Sequence, residues 1–197
     1  MPRSPVFEQT CQYYVEKIAR LDLAALSSRL GFSLEKDAAV IPLYAKPYRI
    51  TAAGILDPEG RPAGFEACVI LSQYLLHGPS APVQPGFCTF KDFKSAAPLV
   101  SYFRDTVEGA IARCFAGRVA DLEAACRRAG GEAHQSDWAY HLKFRFQGLP
   151  RIPVYLLFND AEEGFPAQCT LLFEHSAESY LDMETLAILG AWLAHHL

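Results

Sequence analysis

The residues best suited to chemistry lie in a short acidic stretch, NDAEEG at residues 159–164, here called the acidic loop. Apolar runs on both sides predict that it connects two buried strands. Carboxylate oxygens are the ligands that Ca²⁺ and Mg²⁺ prefer, so the loop is a candidate cation site. The alternative is a solvated hairpin turn that its charges keep soluble. The candidate metal ligands are Asp160, Glu162, Glu163 and the downstream Glu174.

A second candidate set precedes the acidic loop along the chain. Over 138–146, apolar residues alternate with polar ones that include His141, Lys143 and Arg145. This alternation predicts a long strand with one apolar and one solvent-exposed face. An imidazole and two cationic groups beside the acidic loop would suit general acid–base chemistry or ligand binding in a cleft. The alternative is that the three side chains form a solvated face.

Charge is distributed unevenly along the chain. No Lys or Arg follows Arg151, so the last 46 residues carry a net charge of −7, whereas residues 1–151 hold 18 basic and 15 acidic residues. This balance and a pI near 5.9 make nucleic acid an unfavourable partner. Acidic residues at the start of the last predicted helix also interact favourably with the helix dipole, and Asp182 is the predicted N-cap. The seven acids are Asp160, Glu162, Glu163, Glu174, Glu178, Asp182 and Glu184.

The order of periodic segments predicts an α+β fold. Helical spacing prevails up to residue 129, interrupted by strand-like segments at 40–45 and 48–53, and its most regular apolar stripe covers 99–115. Strands then follow at 138–146, 152–158 and 167–173, before a final helix from about Met183. The segment 152–158 is apolar on both faces and so is predicted to be central. We expect a single domain over 1–197, a mostly antiparallel sheet with helices packed on it, and a candidate sub-boundary in the proline-rich connection 78–98.

The six cysteines lie at least twelve positions apart, so none form the close pairs that hold zinc or iron–sulfur clusters. Cys11, Cys68, Cys114 and Cys126 fall on apolar faces of predicted helices, which favours small buried hydrophobes over a disulfide framework. The N-terminus lacks the apolar stretch of a secretory signal, and no apolar run is long enough to span a membrane. A cytoplasmic location is the resulting expectation.

Four short motifs lie in the C-terminal part of the chain: GLPRIPV at 148–154, EGFPAQ at 163–168, LLFE at 171–174 and YLDME at 180–184. Through them the chain resembles, most clearly over residues 138–197, a prokaryotic family of uncharacterised proteins, domain of unknown function 3786. This resemblance implies a link to anaerobic corrinoid or iron–sulfur metabolism, since some members of that family carry an iron–sulfur segment. This chain lacks the closely spaced cysteines, so no cluster is expected on it. A redox or corrinoid protein is the partner that the resemblance implies.

Three functional hypotheses follow from these observations. The first is a non-catalytic binding or accessory domain, tied to corrinoid or iron–sulfur metabolism, whose acidic C-terminal surface meets a cation or a basic partner. The second is a small-molecule enzyme with a cleft between the acidic loop and His141, Lys143 and Arg145. The third is a structural or oligomer-forming subunit.

Overall fold

The computed structural model describes residues 5–36, 38–78 and 86–197. Its helices are α1 (Pro5–Ile18), α2 (Leu23–Leu30), α3 (Phe65–His77), α4 (residues 100–115), α5 (Val119–Arg128) and α6 (Met183–His196). Its strands are β1 (Ser33–Glu35), β2 (Ala38–Leu43), β3 (Lys46–Thr51), β4 (Gly54–Leu56), β5 (Phe87–Thr89), β6 (Glu132–Ala133), β7 (Leu142–Leu149), β8 (Ile152–Asn159) and β9 (Gln168–Glu174).

These strands form two antiparallel sheets, of four strands in the order β1-β2-β3-β4 and of five in the order β5-β9-β8-β7-β6. The predicted α+β class is confirmed, with its antiparallel strands divided between two sheets. Strand β8 lies at the centre of the larger sheet and is buried over seven of its eight residues, as the apolar run predicts. One hydrophobic cluster extends from α1 to α6 through both sheets.

The two sheets meet at the hairpin turn between β2 and β3. The Tyr44 backbone N–H donates to the carbonyl oxygen of Gly148, at the end of β7, over 3.1 Å. The Tyr44 hydroxyl donates to the carbonyl oxygen of Leu189 in α6 over 2.9 Å. This buried side chain therefore connects the small sheet, the large sheet and the last helix.

Helix caps follow the sequence closely. The Asp22 carboxylate accepts a hydrogen bond from the Ala25 N–H, and α2 ends at Gly31 in a left-handed conformation. The Asp182 carboxylate accepts from the Thr185 N–H over 2.7 Å, which confirms it as the cap of α6.

The segment before β7 does not extend that strand. Trp138 packs edge-on against Phe87 of β5 and Tyr155 of β8, with ring centroids 5.4 Å and 6.2 Å away. The strand predicted over 138–146 instead begins at Leu142. The residues before Leu142 pack on the large sheet, through the contacts of the Trp138 ring with Phe87 and Tyr155.

Part of the proline-rich connection 78–98 lies outside the described residues, at 79–85. The described remainder belongs to the body of the fold, since β5 pairs with β9 and Phe90 and Phe93 are buried. The sub-boundary proposed for this connection stays a prediction.

Helix α4 differs from the regular helix that the apolar stripe predicts. A π turn, Phe103–Glu108, lies between the short helical segments Val100–Tyr102 and Gly109–Phe115. The prediction of regularity is therefore wrong. The Phe103 ring stacks on Phe90 with centroids 4.1 Å apart and lies against Gly190 of α6, so the wider turn accompanies a deeply inserted aromatic side chain.

Replacing Gly190 with alanine is expected to lower the free energy of unfolding by about 1–3 kcal/mol, the usual cost of overpacking. A Cβ atom at this position would lie 2.6 Å from Phe103 Cε2, and the buried ring has Phe90 behind it. Urea unfolding of the variant measures the effect. Gly64→Ala is the matched control, because nothing lies within 4 Å of its added Cβ; an equal loss in both variants would contradict this explanation.

The prediction made for Cys11, Cys68, Cys114 and Cys126 is wrong for three of the four, since only Cys126 is both buried and unpaired. Cys11 of α1 and Cys68 of α3 form a disulfide, with Cα atoms 6.4 Å apart. Cys114 is exposed, whereas Cys126 is buried as predicted. The apolar stripes place Cys11 and Cys68 on facing helix surfaces, and this proximity makes the pair possible despite a separation of 57 residues.

Among the residues that the structure describes, the helices are all too short or too polar to cross a bilayer.

Candidate functional site

The acidic loop joins β8 to β9 and ends in a tight turn. The Glu162 N–H donates to the Phe165 carbonyl oxygen over 3.0 Å, and the Phe165 N–H donates back to Glu162 over 2.9 Å. Glu163 and Gly164 lie between them, and Gly164 takes the positive φ of 85° that such a two-residue turn favours. The loop is therefore ordered by its own backbone.

The Asp160 carboxylate connects the acidic loop to the segment between α4 and α5 by a hydrogen bond. Its Oδ1 atom accepts hydrogen bonds from the backbone N–H groups of Gly117, 2.6 Å away, and Ala161, 2.8 Å away. Gly117 lies in the connection between α4 and α5. This carboxylate is therefore occupied in holding the loop in place.

His141 lies against the acidic loop in a defined orientation. Its Nδ1 atom is 2.9 Å from the Asp160 backbone nitrogen and accepts that N–H, so the neutral ring carries its proton on Nε2. The Nε2 atom lies 3.3 Å from Glu162 Oε1. The Asn159 side chain accepts from the His141 backbone N–H over 3.2 Å, which holds the ends of β7 and β8 together.

These contacts form one wall of an open cleft of about 350 Å³. Phe165 lies on its rim with 71% of its surface exposed, the largest exposed fraction among the large hydrophobic residues described. The cleft is lined by Ala139, His141, Asn159, Asp160, Glu162, Phe165, Pro166 and Gln168.

Lys143 and Arg145 do not line this cleft, although the sequence predicts them on one strand face with His141. The Lys143 ammonium donates to the carbonyl oxygens of Ser136, at 2.7 Å, and Trp138, at 3.0 Å. Arg145 donates to the Gln147 side chain over 2.8 Å. Both side chains are half-buried. Lys143 binds the segment before β7 and Arg145 binds a residue of β7 itself, so the structure brings only His141 of the three to the acidic loop.

Of the four candidate metal ligands, Glu174 lies away from the other three. Glu174 ends β9, six residues after Gln168, which pairs with Asn159 beside the loop. At the rise of an extended strand this places Glu174 about 20 Å from the acidic loop, where it accepts from the Ser176 hydroxyl over 3.4 Å. In the described part of the chain, His, Cys, Asp and Glu form no group of three or more that could hold a metal ion. Cation binding by Asp160, Glu162 and Glu163 of the loop stays a prediction.

The remaining acids of the C-terminal segment lie at the other end of the large sheet. Glu178, Asp182 and Glu184 line a separate cavity of about 530 Å³ at the start of α6. The charge of −7 is thus divided between two surfaces, and the acidic loop is the one that also presents an exposed aromatic ring.

Phe165 was not among the residues singled out in the sequence. The signal was present in the sequence EGFP at 163–166, where a Gly-containing turn and a following proline surround an aromatic residue. A turn at this position leaves a side chain little core to enter.

The structure defines an α+β domain in which the acidic loop lies beside His141 and next to the exposed ring of Phe165. The model of a family described as Domain of unknown function (DUF3786) matches residues 22–196, and the chain belongs to this family. Helix α1 precedes the matched range. Searches of the curated proteins and of the solved structures found no match.

Proposed function

We propose that this chain is a non-catalytic binding domain that docks a basic partner protein on its acidic loop. The observation that carries the proposal is Phe165, an exposed aromatic ring held on an ordered turn beside exposed carboxylates. Aromatic side chains surrounded by polar residues are typical energetic centres of protein interfaces.

The charges around Phe165 favour a basic partner. Glu162 and Glu163 are exposed, and none of the ion pairs found in the described residues joins either one to a Lys or Arg. A positive surface approaching the loop would therefore meet an uncompensated negative one, which accelerates encounter and orients the partner. The order of the loop reduces the entropy lost on binding.

Binding is better supported than acid–base catalysis. The cleft contains His141 and Glu162, but Lys143 and Arg145 are turned to other partners. The Nδ1 atom of His141 is occupied by a backbone N–H, so the ring is oriented by the loop. The same contacts serve to hold the loop in one conformation for docking.

The partner class and the location are part of the proposal. Redox and corrinoid proteins are the first partners to test, as the family resemblance implies, and a cytoplasmic location would place the chain among them. Reducing thiols in that compartment would act on the Cys11–Cys68 disulfide.

Substituting the loop should separate the contributions of the ring and the charges. Against a purified basic partner identified by co-purification, Phe165→Ser is expected to weaken binding by about 2–4 kcal/mol, as at an interface hot spot. The double variant Glu162→Gln, Glu163→Gln should slow association and reduce its dependence on salt. Surface plasmon resonance at several salt concentrations measures both effects.

Tyr102→Ser and Glu178→Gln are the controls, since both residues are exposed and lie away from the loop. Unchanged affinity in all of the loop variants would contradict the proposal.

Calcium and magnesium titrations followed by thermal shift test the cation hypothesis. Stabilisation by the metal that disappears in the double variant would assign the loop to a cation instead.

A further inference from the structure

Another cavity, of about 320 Å³, lies where strand β5 ends and leaves the edge of β9 without a strand partner. It is lined by Thr89, Phe90, Lys91, Val100, Phe103, Arg104, Glu108 and Thr170. None of the acidic-loop residues belongs to this lining. The volume is at the lower end of the range for small-molecule sites, roughly 300–1,000 Å³.

The π turn of α4 forms one wall of this cavity. Phe103, Arg104 and Glu108 all belong to the turn. Single π turns inside α-helices are rare and are found frequently at functional sites. Here the turn directs the Phe103 ring to the core and the Glu108 side chain to the cavity and the sheet edge.

Glu108 provides a half-buried carboxylate in the cavity lining. Its Oε1 atom accepts the Leu171 backbone N–H over 3.0 Å, at the part of β9 that β5 does not reach. The side chain is half-buried, and burial raises its pKa, while the Leu171 N–H and the charge of Lys91 act in the opposite direction. The hydrogen bond has a structural role, but it occupies only Oε1.

Cationic groups lie on the outer part of the same cavity. Lys91 is exposed in the short 3-10 turn after β5, and Arg104 is exposed with its guanidinium paired to Asp105 at 2.8 Å. The stacked rings of Phe90 and Phe103, with planes 8° apart, provide an apolar wall. The cavity therefore combines the half-buried Glu108 carboxylate, the exposed Lys91 ammonium, an Arg104 guanidinium that also binds both oxygens of Asp105, and an apolar surface.

We propose that this cavity binds a small zwitterion of the amino-acid type. The ligand's ammonium group would donate to the Glu108 carboxylate, and its carboxylate would meet Lys91 and Arg104. Its side chain would lie against Val100 and the Phe90–Phe103 stack. Charge-assisted hydrogen bonds of this kind are stronger than neutral ones, and a ligand that satisfies both charges fits this lining better than a simple anion or amine.

The test uses the full chain and the proteinogenic L-amino acids as probes, followed by NMR. The Leu171 amide reports on the site directly, because it donates to Glu108. At least one amino acid should shift this resonance in a saturable manner. For L-leucine the matched analogues are 4-methylpentanoate, which lacks the ammonium group, and isopentylamine, which lacks the carboxylate. Each analogue should bind about tenfold or more weakly, the consequence of losing one charge-assisted contact.

Variants distinguish a binding site from a structural contact. Glu108→Gln keeps an oxygen acceptor for the Leu171 N–H but loses the charge, and should weaken amino-acid binding by about tenfold or more. Lys91→Met changes an exposed side chain, so it keeps the test valid if Glu108→Gln does not fold. Phe165→Ser should leave the binding unchanged, which separates this site from the acidic loop.

Three outcomes would overturn the proposal. The first is that none of the amino acids shifts the Leu171 resonance. The second is that 4-methylpentanoate or isopentylamine binds as tightly as L-leucine. The third is that Lys91→Met and a folded Glu108→Gln both retain the wild-type affinity.

Discussion

Replacing Tyr44 with alanine is expected to lower the free energy of unfolding by about 3–5 kcal/mol, the range for removing a large aromatic side chain from a core. The ring is 2% exposed and stacks on Trp192 with centroids 4.9 Å apart. Its hydroxyl is bonded to the Leu189 carbonyl oxygen. Burial raises the Tyr44 pKa, so the hydroxyl remains protonated and available as a donor.

The backbone conformation at Tyr44 increases the dependence of the protein's stability on this ring. Tyr44 and Ala45 have φ values of 46° and 65°, the left-handed conformation that a two-residue hairpin turn requires and that Gly, Asn and Asp adopt most easily. The buried contacts of the Tyr44 ring must offset the cost of this conformation. Without the ring, the turn and the junction of the two sheets lose their main support.

Urea unfolding of graded variants tests this explanation. Tyr44→Phe removes only the hydroxyl and should cost about 1 kcal/mol, the typical net value of one hydrogen bond. Tyr13→Ala is the control, because Tyr13 is 53% exposed and its removal should change stability by no more than about 0.5 kcal/mol. A cost below about 1 kcal/mol for Tyr44→Ala would show that the sheets are joined elsewhere.

The sequence predicts the large sheet well because its central strand has an unusual composition. Residues 152–158 are apolar on both faces, and only a strand covered on both sides accommodates such a run. The division into two sheets was not predictable in the same way. The two sheets meet at Tyr44, whose contacts with Gly148 and Leu189 join residues 104 and 145 positions apart, and local periodicity does not report such contacts.

The π turn illustrates a second limit. The apolar stripe of α4 fits helical spacing at Phe103, Val107 and Ile111, and all three are buried. The local irregularity accompanies two distant contacts, Phe103 with Gly190 and Glu108 with Leu171. Neither partner is near α4 in sequence, so the pattern alone predicts an ordinary helix.

The candidate site was predicted in part. Alternation along β7 correctly places Lys143 and Arg145 on one face of the strand, and His141, which precedes the strand, reaches the acidic loop. Lys143 instead donates hydrogen bonds to two carbonyl oxygens of the segment before β7, those of Ser136 and Trp138. The position of this segment is set by aromatic packing on Tyr155, a tertiary contact that the charge pattern does not contain.

Reducing the Cys11–Cys68 disulfide should lower the free energy of unfolding by about 4 kcal/mol, the chain-entropy value for a closed loop of this length. The bond joins residues 57 positions apart, so its loss restores considerable freedom to the unfolded chain. It also releases α1, which lies before the range that the family model matches. The groove formed by α1 with Ile55 and Pro62 would then lose its covalent support.

Unfolding in urea with and without a phosphine reductant measures this difference, with intact mass after alkylation to count the free thiols. Cys11→Ala, Cys68→Ala is the matched variant: its stability should equal that of the reduced wild type and should not respond to the reductant. Cys114→Ala is the control, since this thiol is free and exposed. If the reductant destabilises the double variant as much as the wild type, the effect does not arise from this bond. If it leaves the wild type unchanged, α1 is held to α3 by packing alone.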